Sequence, residues 1–142
     1  MGRYTLLEDI ALADCAVDVE ADDLADLFET AASALAHVMV DPATLPLDIE
    51  RTIEVSAPEL DLLLYDWLSE LIYRKDRDRE VFAHTRVRVH GSGPYHLTAV
   101  ARGGVIDPER TALGADPKAV TFHQFALTST DGAWRARVVF DI

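Results

Sequence analysis

Apolar residues recur along two stretches of the chain at the three-and-four spacing that turns one face of an α-helix inward. From about Asp23 to Met39, Leu24, Leu27, Phe28, Ala31, Leu35 and Val38 share such a face. Asp22 or Asp23 offers a capping carboxylate, and Asp26 places negative charge where the helix dipole favours it. Asp41-Pro42 ends the stretch, because a residue before proline is pushed away from helical angles. The second stretch opens on Ser56-Ala57-Pro58-Glu59, where Ser56 and Glu59 have capping-box spacing and Pro58 falls in the first turn. Leu60, Leu63, Leu64, Trp67, Leu68, Leu71 and Ile72 then form a wide stripe for burial.

The remaining segments alternate with period two. Cys15 to Glu20 puts Cys15, Val17 and Val19 on one side of a strand, and Asp48 to Val55 forms another with a less clean pattern. Val81 to His90 places Val81, Ala83, Val87 and Val89 on one face and His84, Arg86, Arg88 and His90 on the other. Gly91-Ser92-Gly93-Pro94 is a turn signal, so Tyr95 to Arg102 returns as the second arm of a hairpin. Ala119 to Leu127 and Trp134 to Phe140 flank Thr130-Asp131-Gly132, whose Asp-Gly pair favours a tight hairpin turn. The last strand turns Trp134, Ala136, Val138 and Phe140 inward. The order β-β-α-β-α-β-β-β-β predicts an α+β fold: a mainly antiparallel or mixed sheet with two amphipathic helices packed on it. Gly103 to Pro117 reads as a long irregular connection, with Gly103-Gly104 as a glycine pair inside a loop.

Composition narrows the function classes. The 142 residues fit one domain over 1–142, and at 49% apolar they can bury a core. No apolar run approaches the ~20 residues of a bilayer helix, and the N-terminus lacks the pattern of a secretory signal. The lone Cys15 gives neither an internal disulfide nor zinc-finger spacing, which points to a reducing cytoplasm. The net charge of −12 repels phosphate backbones, so direct nucleic-acid binding is disfavoured; a held cation or a basic protein partner fits better. The run Arg74-Lys75, Arg77 and Arg79, alternating with Asp76, Asp78 and Glu80, reads as a solvated helix end. There is no nucleophile elbow, phosphate-cradling glycine loop or His-Glu-x-x-His helix.

Four local patterns, in order, resemble the archease family. Ala13-Asp14, an alternating strand and Ala21-Asp22-Asp23-Leu24-Ala25-Asp26-Leu27-Phe28 are similar to a family segment His-Thr-Ala-Asp-Val-Gly and its following helix start. Leu63-Leu64-Tyr65-Asp66-Trp67-Leu68-Ser69-Glu70-Leu71-Ile72 resembles the family's Leu-Leu-x-x-Trp-Leu-x-Glu-Leu-Leu helix. Lys118-Ala119-Val120-Thr121-Phe122-His123 is close to a family Lys-Ala-Val/Ile-Thr-Tyr-His, and Phe140-Asp141-Ile142 to the family's terminal Asp-Ile or Asp-Val. The chain departs at Ala11-Leu12, which replaces the His-Thr pair, and at Ala16, which replaces the glycine. That removes polar groups beside the aspartate that would orient a ligand set, with Glu8 and Asp9 close by in sequence.

The resemblance implies an α+β protein that assists an RtcB-type tRNA-splicing RNA ligase, promoting guanylylation of the ligase and its multiple turnover, without being an enzyme itself. It implies a divalent-metal site at Asp14 and Asp141, completed by the terminal carboxylate of Ile142. Calcium is the first expectation, with manganese, magnesium or zinc as alternatives. Lys118 maps onto a position linked to stimulation of the ligase, and His123 is a candidate polar partner for the site. Two rival classes stay open: a stand-alone metal-dependent phosphoesterase, which would turn over without a partner, and a metal-free interaction or chaperone-like module.

Overall fold

In the computed structural model, which describes residues 2–7 and 14–142, the chain runs β1 (Arg3–Leu7), β2 (Asp14–Ala21), α1 (Leu24–Met39), β3 (Ile49–Ala57), α2 (Leu60–Asp78), β4 (Glu80–Gly91), β5 (Tyr95–Val105), β6 (Ala119–Thr130) and β7 (Ala133–Asp141). This is the order that the periodicities predict, and the fold is α+β. The strands divide between two sheets, β1-β2-β7-β6 and β3-β5-β4, with every pairing antiparallel. One sheet therefore joins the two ends of the chain, while the other is built from its middle.

The helices bury the stripes read from the sequence. Leu27, Phe28 and Leu35 of α1 meet Leu63, Leu64, Trp67 and Leu68 of α2, together with Val17 and Val19 from β2 and Ala136, Val138 and Phe140 from β7. Trp67 is fully buried, and its indole N–H donates to the carbonyl of Phe28 at 3.0 Å, so the one polar atom of the ring is satisfied. The Asp131-Gly132 turn adopts positive φ at both residues, 53° and 79°, which suits the twist of a two-residue hairpin.

Three expectations are corrected. Ser56 does not cap α2, because β3 extends to Ala57 and pairs Ser56 with His96; its hydroxyl lies 2.7 Å from His96 Nδ1. Glu59 becomes the N-cap without a side-chain bond, whereas Asp23 caps α1 by accepting from Asp26 N–H at 2.8 Å. Gly103 and Gly104 lie within β5, not in a loop. A Cβ at Gly103 would stand 1.9 Å from the Val81 carbonyl oxygen, and one at Gly104 2.1 Å from that of Pro46, so both positions require a backbone without a side chain. Lys75 is not part of a solvated helix end, since it is buried.

The difference between the two caps is measurable. Asp23→Ala should lower stability by about 1 kcal/mol, while Glu59→Ala should stay within roughly 0.5 kcal/mol of the parent. Chemical denaturation of both variants compares them, and equal losses would contradict the cap geometry.

Candidate functional site

Antiparallel pairing of β2 with β7 sets Asp14 directly opposite Asp141. On the other side of β7, Asp141 pairs with Ala119, and the N–H of Lys118 donates to the Asp141 carbonyl at 2.7 Å. The ladder thus brings three segments distant in sequence, at 14, 118–119 and 141–142, to one end of the four-stranded sheet. Asp141 and Lys118 are exposed, and Ile142 is half-buried.

The same pairing has a charge pattern. Farther along β2 and β7, Asp18 faces Arg137 and Glu20 faces Arg135. The Arg137 guanidinium grips Asp18 with two bonds, 2.7 and 2.8 Å, and holds its carboxyl below the usual carboxylate range. Arg3 and Arg135 approach Glu20 at 3.0 and 3.7 Å. These are opposite-charge cross-strand pairs of the kind that stabilises a sheet. At Asp14 and Asp141 the pattern reverses, and two acidic residues stand in register.

The segment that delivers Lys118 is held at both flanks. Residues 106–118 leave β5 and are stitched to the end of α1: Gly114 N–H donates to Met39 O and Ala115 N–H to Val38 O, both at 2.8 Å, while Asp41 N–H donates to Ala112 O at 2.8 Å. At the other flank, the ammonium of Lys75 donates to the Pro117 carbonyl at 2.8 Å and to the Asp116 carboxylate, and it meets Asp76 at 2.6 Å. The Lys75 ammonium holds the Asp116 carboxyl below the ordinary range. Lys75 was missed in the sequence, although it continues the apolar stripe at the helical spacing from Leu71 and Ile72. An amphipathic stem buried with its charge answered by carboxylates is how a lysine occupies such a position.

His123 is exposed and lies in a bulge of β6 between Thr121, which pairs with Val139, and Ala126, which pairs with Arg137. The ladder does not set it opposite Asp14 or Asp141. Among the described side chains no three His, Cys, Asp or Glu converge as a metal-holding group. The Asp14 side chain lies outside the described side chains, and the Ile142 carboxylate belongs to none of these four residue types. The Ala11-Leu12 departure, Glu8 and Asp9 lie outside the described residues. The lone Cys15 is half-buried in β2 beside Phe140, and burial pushes its thiol up, so it behaves as a small packing residue. No helix among the described residues is long and apolar enough to cross a membrane.

Two helices on antiparallel sheets, with acidic residues of β2 and β7 in register at one sheet end, define a small α+β protein with its candidate chemistry where those two strands meet. A family model, that of the Archease protein family (MTH1598/TM1083), matches residues 4–142. The chain is 35% identical over 142 residues to the protein archease of Methanosarcina mazei, covering 99% of this chain and 96% of that protein. It is 35% identical over 132 residues to the protein archease of Pyrococcus furiosus, covering 92% and 93%. The solution structure of Methanobacterium thermoautotrophicum protein 1598 is similar at a TM-score of 0.80 and 31% identity, with 98% of each chain covered. A crystal structure from Thermotoga maritima, described as an archease and possible chaperone, is similar at a TM-score of 0.59; at 16% identity that likeness concerns the fold alone. This chain belongs to the archease family.

The anchor of the Lys118 segment can be cut separately. Lys75→Met keeps the apolar stem but leaves the Pro117 carbonyl without its donor, and should lower stability by about 1–3 kcal/mol. Hydrogen exchange at the Lys118 amide should quicken. Because the Asp116 carboxyl is depressed in the folded state, its contribution to stability is complete above the ordinary carboxylate range and is lost as pH falls through and below it. Urea midpoints followed from pH 6 downward should show a smaller acid loss in Lys75→Met than in the parent protein. An identical pH profile for the two would contradict the Lys75–Asp116 contact.

Proposed function

We propose that this archease-family chain binds a divalent cation between the carboxylates of Asp14, Asp141 and the Ile142 terminus, and that this end of the sheet activates an RtcB-type tRNA-splicing RNA ligase. One observation carries the reading: Asp14 and Asp141 are in register on a ladder whose other charged pairs, Asp18–Arg137 and Glu20–Arg135, match acid to arginine. Like charges directly opposed on a sheet repel, and a cation is the natural way to reverse the sign of that interaction. The donor set fits the group, since it is all oxygen, as hard cations prefer. Calcium, manganese and magnesium suit it better than zinc, which favours nitrogen and sulfur.

When bound, the cation supplies fixed positive charge at the sheet end and neutralises the carboxylates. The chain's own residues do the rest. The Asp141 carbonyl accepts from the Lys118 amide, which fixes the start of β6 relative to the carboxylates. Lys75 restrains the preceding residues by holding Asp116 and the Pro117 carbonyl. Lys118 therefore offers an exposed ammonium from a restrained backbone, suited to a phosphate or carboxylate of a partner. The role is accessory: the chain positions charge for a ligase that performs the guanylylation and the joining. Its acidic character, −12 overall, favours a basic protein partner over RNA.

Calorimetric titration of calcium and of manganese into the parent protein and Asp141→Asn tests the cation site. The parent should bind one ion, and the variant should bind at least about tenfold more weakly; equal heats would remove the site. Multiple-turnover RNA joining by a purified RtcB-type ligase, with and without this protein, tests the partner. Lys118→Ala should keep cation affinity and lose most of the stimulation. A ligase indifferent to the parent protein would overturn the partner reading.

A further inference from the structure

The bulge in β6 holds an aromatic cluster that the site at the sheet end does not use. Thr121 pairs with Val139 and Ala126 with Arg137, so the stretch from Phe122 to Phe125 stands against Val138 alone. Gln124 within it has a left-handed φ of 53°, a conformation unfavourable for a residue with a side chain. The Phe122 ring stacks on Tyr65 of α2, with centroids 4.3 Å apart and planes within 2°. Phe125 meets both rings edge-on, at 5.9 Å from Tyr65 and 6.2 Å from Phe122. Tyr65 and Phe125 are half-buried against the core, but Phe122 is 62% exposed. β6 is an edge strand, and a bulge alone would be enough to discourage edge-to-edge pairing. A large exposed ring works against that purpose, so edge protection does not explain the phenylalanine.

We infer that the Phe122–Tyr65–Phe125 cluster is a docking platform for an arginine-bearing basic segment of a partner protein. The charge around the cluster selects the occupant. β6 carries no Lys, Arg, Asp or Glu from Ala119 to Thr130, and α2 carries no Lys or Arg from Leu60 to Ile72. Along that part of α2 stand Asp61, Asp66 and Glu70, of which Glu70 is paired with Arg74 at 2.7 Å. Asp66, next to Tyr65, has no ion-pair partner among the described residues, and burial raises its carboxyl. An exposed aromatic face on a helix stretch that carries Asp61 and Asp66 and no basic residue is complementary to a guanidinium, which stacks on the ring. Stacked aromatics of limited rotamer freedom are also typical anchors of protein interfaces. The inference rests on the proposed function only in requiring a protein partner; the cation plays no part in it.

The test uses the intact protein labelled for NMR and three peptides of equal length, bearing four arginines, four lysines or four glutamates spaced by Gly-Ser. The arginine peptide should shift resonances of residues 122–125 and of Tyr65 and Asp66. Its affinity should fall about tenfold in Phe122→Ala and persist in Phe122→Tyr, which keeps the stack. Shifts scattered over the acidic surface and insensitive to Phe122→Ala would overturn the inference, as would no arginine-peptide binding. Sedimentation showing self-association that Phe122→Ala abolishes would overturn it too, by giving the face to a second copy of the chain. With the purified ligase, Phe122→Ala should weaken association and leave calcium titration unchanged. If the ligase fails to bind the parent protein, the proposed function fails and the peptide result alone decides the platform.

Discussion

The pairing of β2 with β7 is the constraint from which the rest of the molecule follows. Eight consecutive register partners, from Asp14–Asp141 to Ala21–Trp134, join an early strand to the last one. Because side chains alternate across a strand, this single register decides two things together. It turns Val17, Val19, Ala136 and Val138 toward the helices, and it sets the acidic and basic residues of the opposite face in rows. A slip by one residue would bury the charges and expose the core. The position of Asp14 against Asp141 is therefore enforced by the same burial that holds the fold together, and needs no separate device.

Lys75 links that sheet to the helical layer. Its stem follows the apolar stripe of α2 into the interior, and its ammonium emerges under the Asp116–Pro117 corner. Nearby, the Asp41, Gly114 and Ala115 amides bind the other part of the connection to the end of α1. What the sequence presents as an irregular stretch is held by both helices, and the strand it feeds starts at a fixed height on the sheet. Backbone bonds to two different elements make such a loop a positioning part of the scaffold.

The helices, the strand order and the hairpins were legible in the sequence because each depends on a local period. Leu27 to Val38 and Leu60 to Ile72 announce helices, and Asp131-Gly132 announces its turn, without reference to anything distant. What escaped depended on tertiary partners. Ser56 has the spacing of a cap, but pairing with His96 across the sheet claims it for a strand. Gly103 and Gly104 look like a loop until the Val81 and Pro46 carbonyls are seen pressing on them. Lys75 looks solvated because its neighbours are, and only its place on the helical stripe marks it otherwise. The Asp14–Asp141 pairing was accessible only through family resemblance, since no period within a strand specifies which distant strand it will meet. The β6 bulge gave no signal, as alternation over Ala119 to Leu127 hides the extra residues.

A consequence for biosynthesis follows from where β7 lies. It is the third strand of the order β1-β2-β7-β6, yet it follows the other described strands in the chain. The sheet β3-β5-β4 and both helices can begin to consolidate while the chain is still being made, but β1 and β2 must wait with one side of their ladder open. Closure of this ladder needs β7, with a large loop to bring round, and non-local pairing of that kind is intrinsically slow. Until then the nascent protein carries a strand with one edge unpaired and apolar Val17 and Val19 within it. That interval is when it is most exposed to aggregation or to capture by folding helpers.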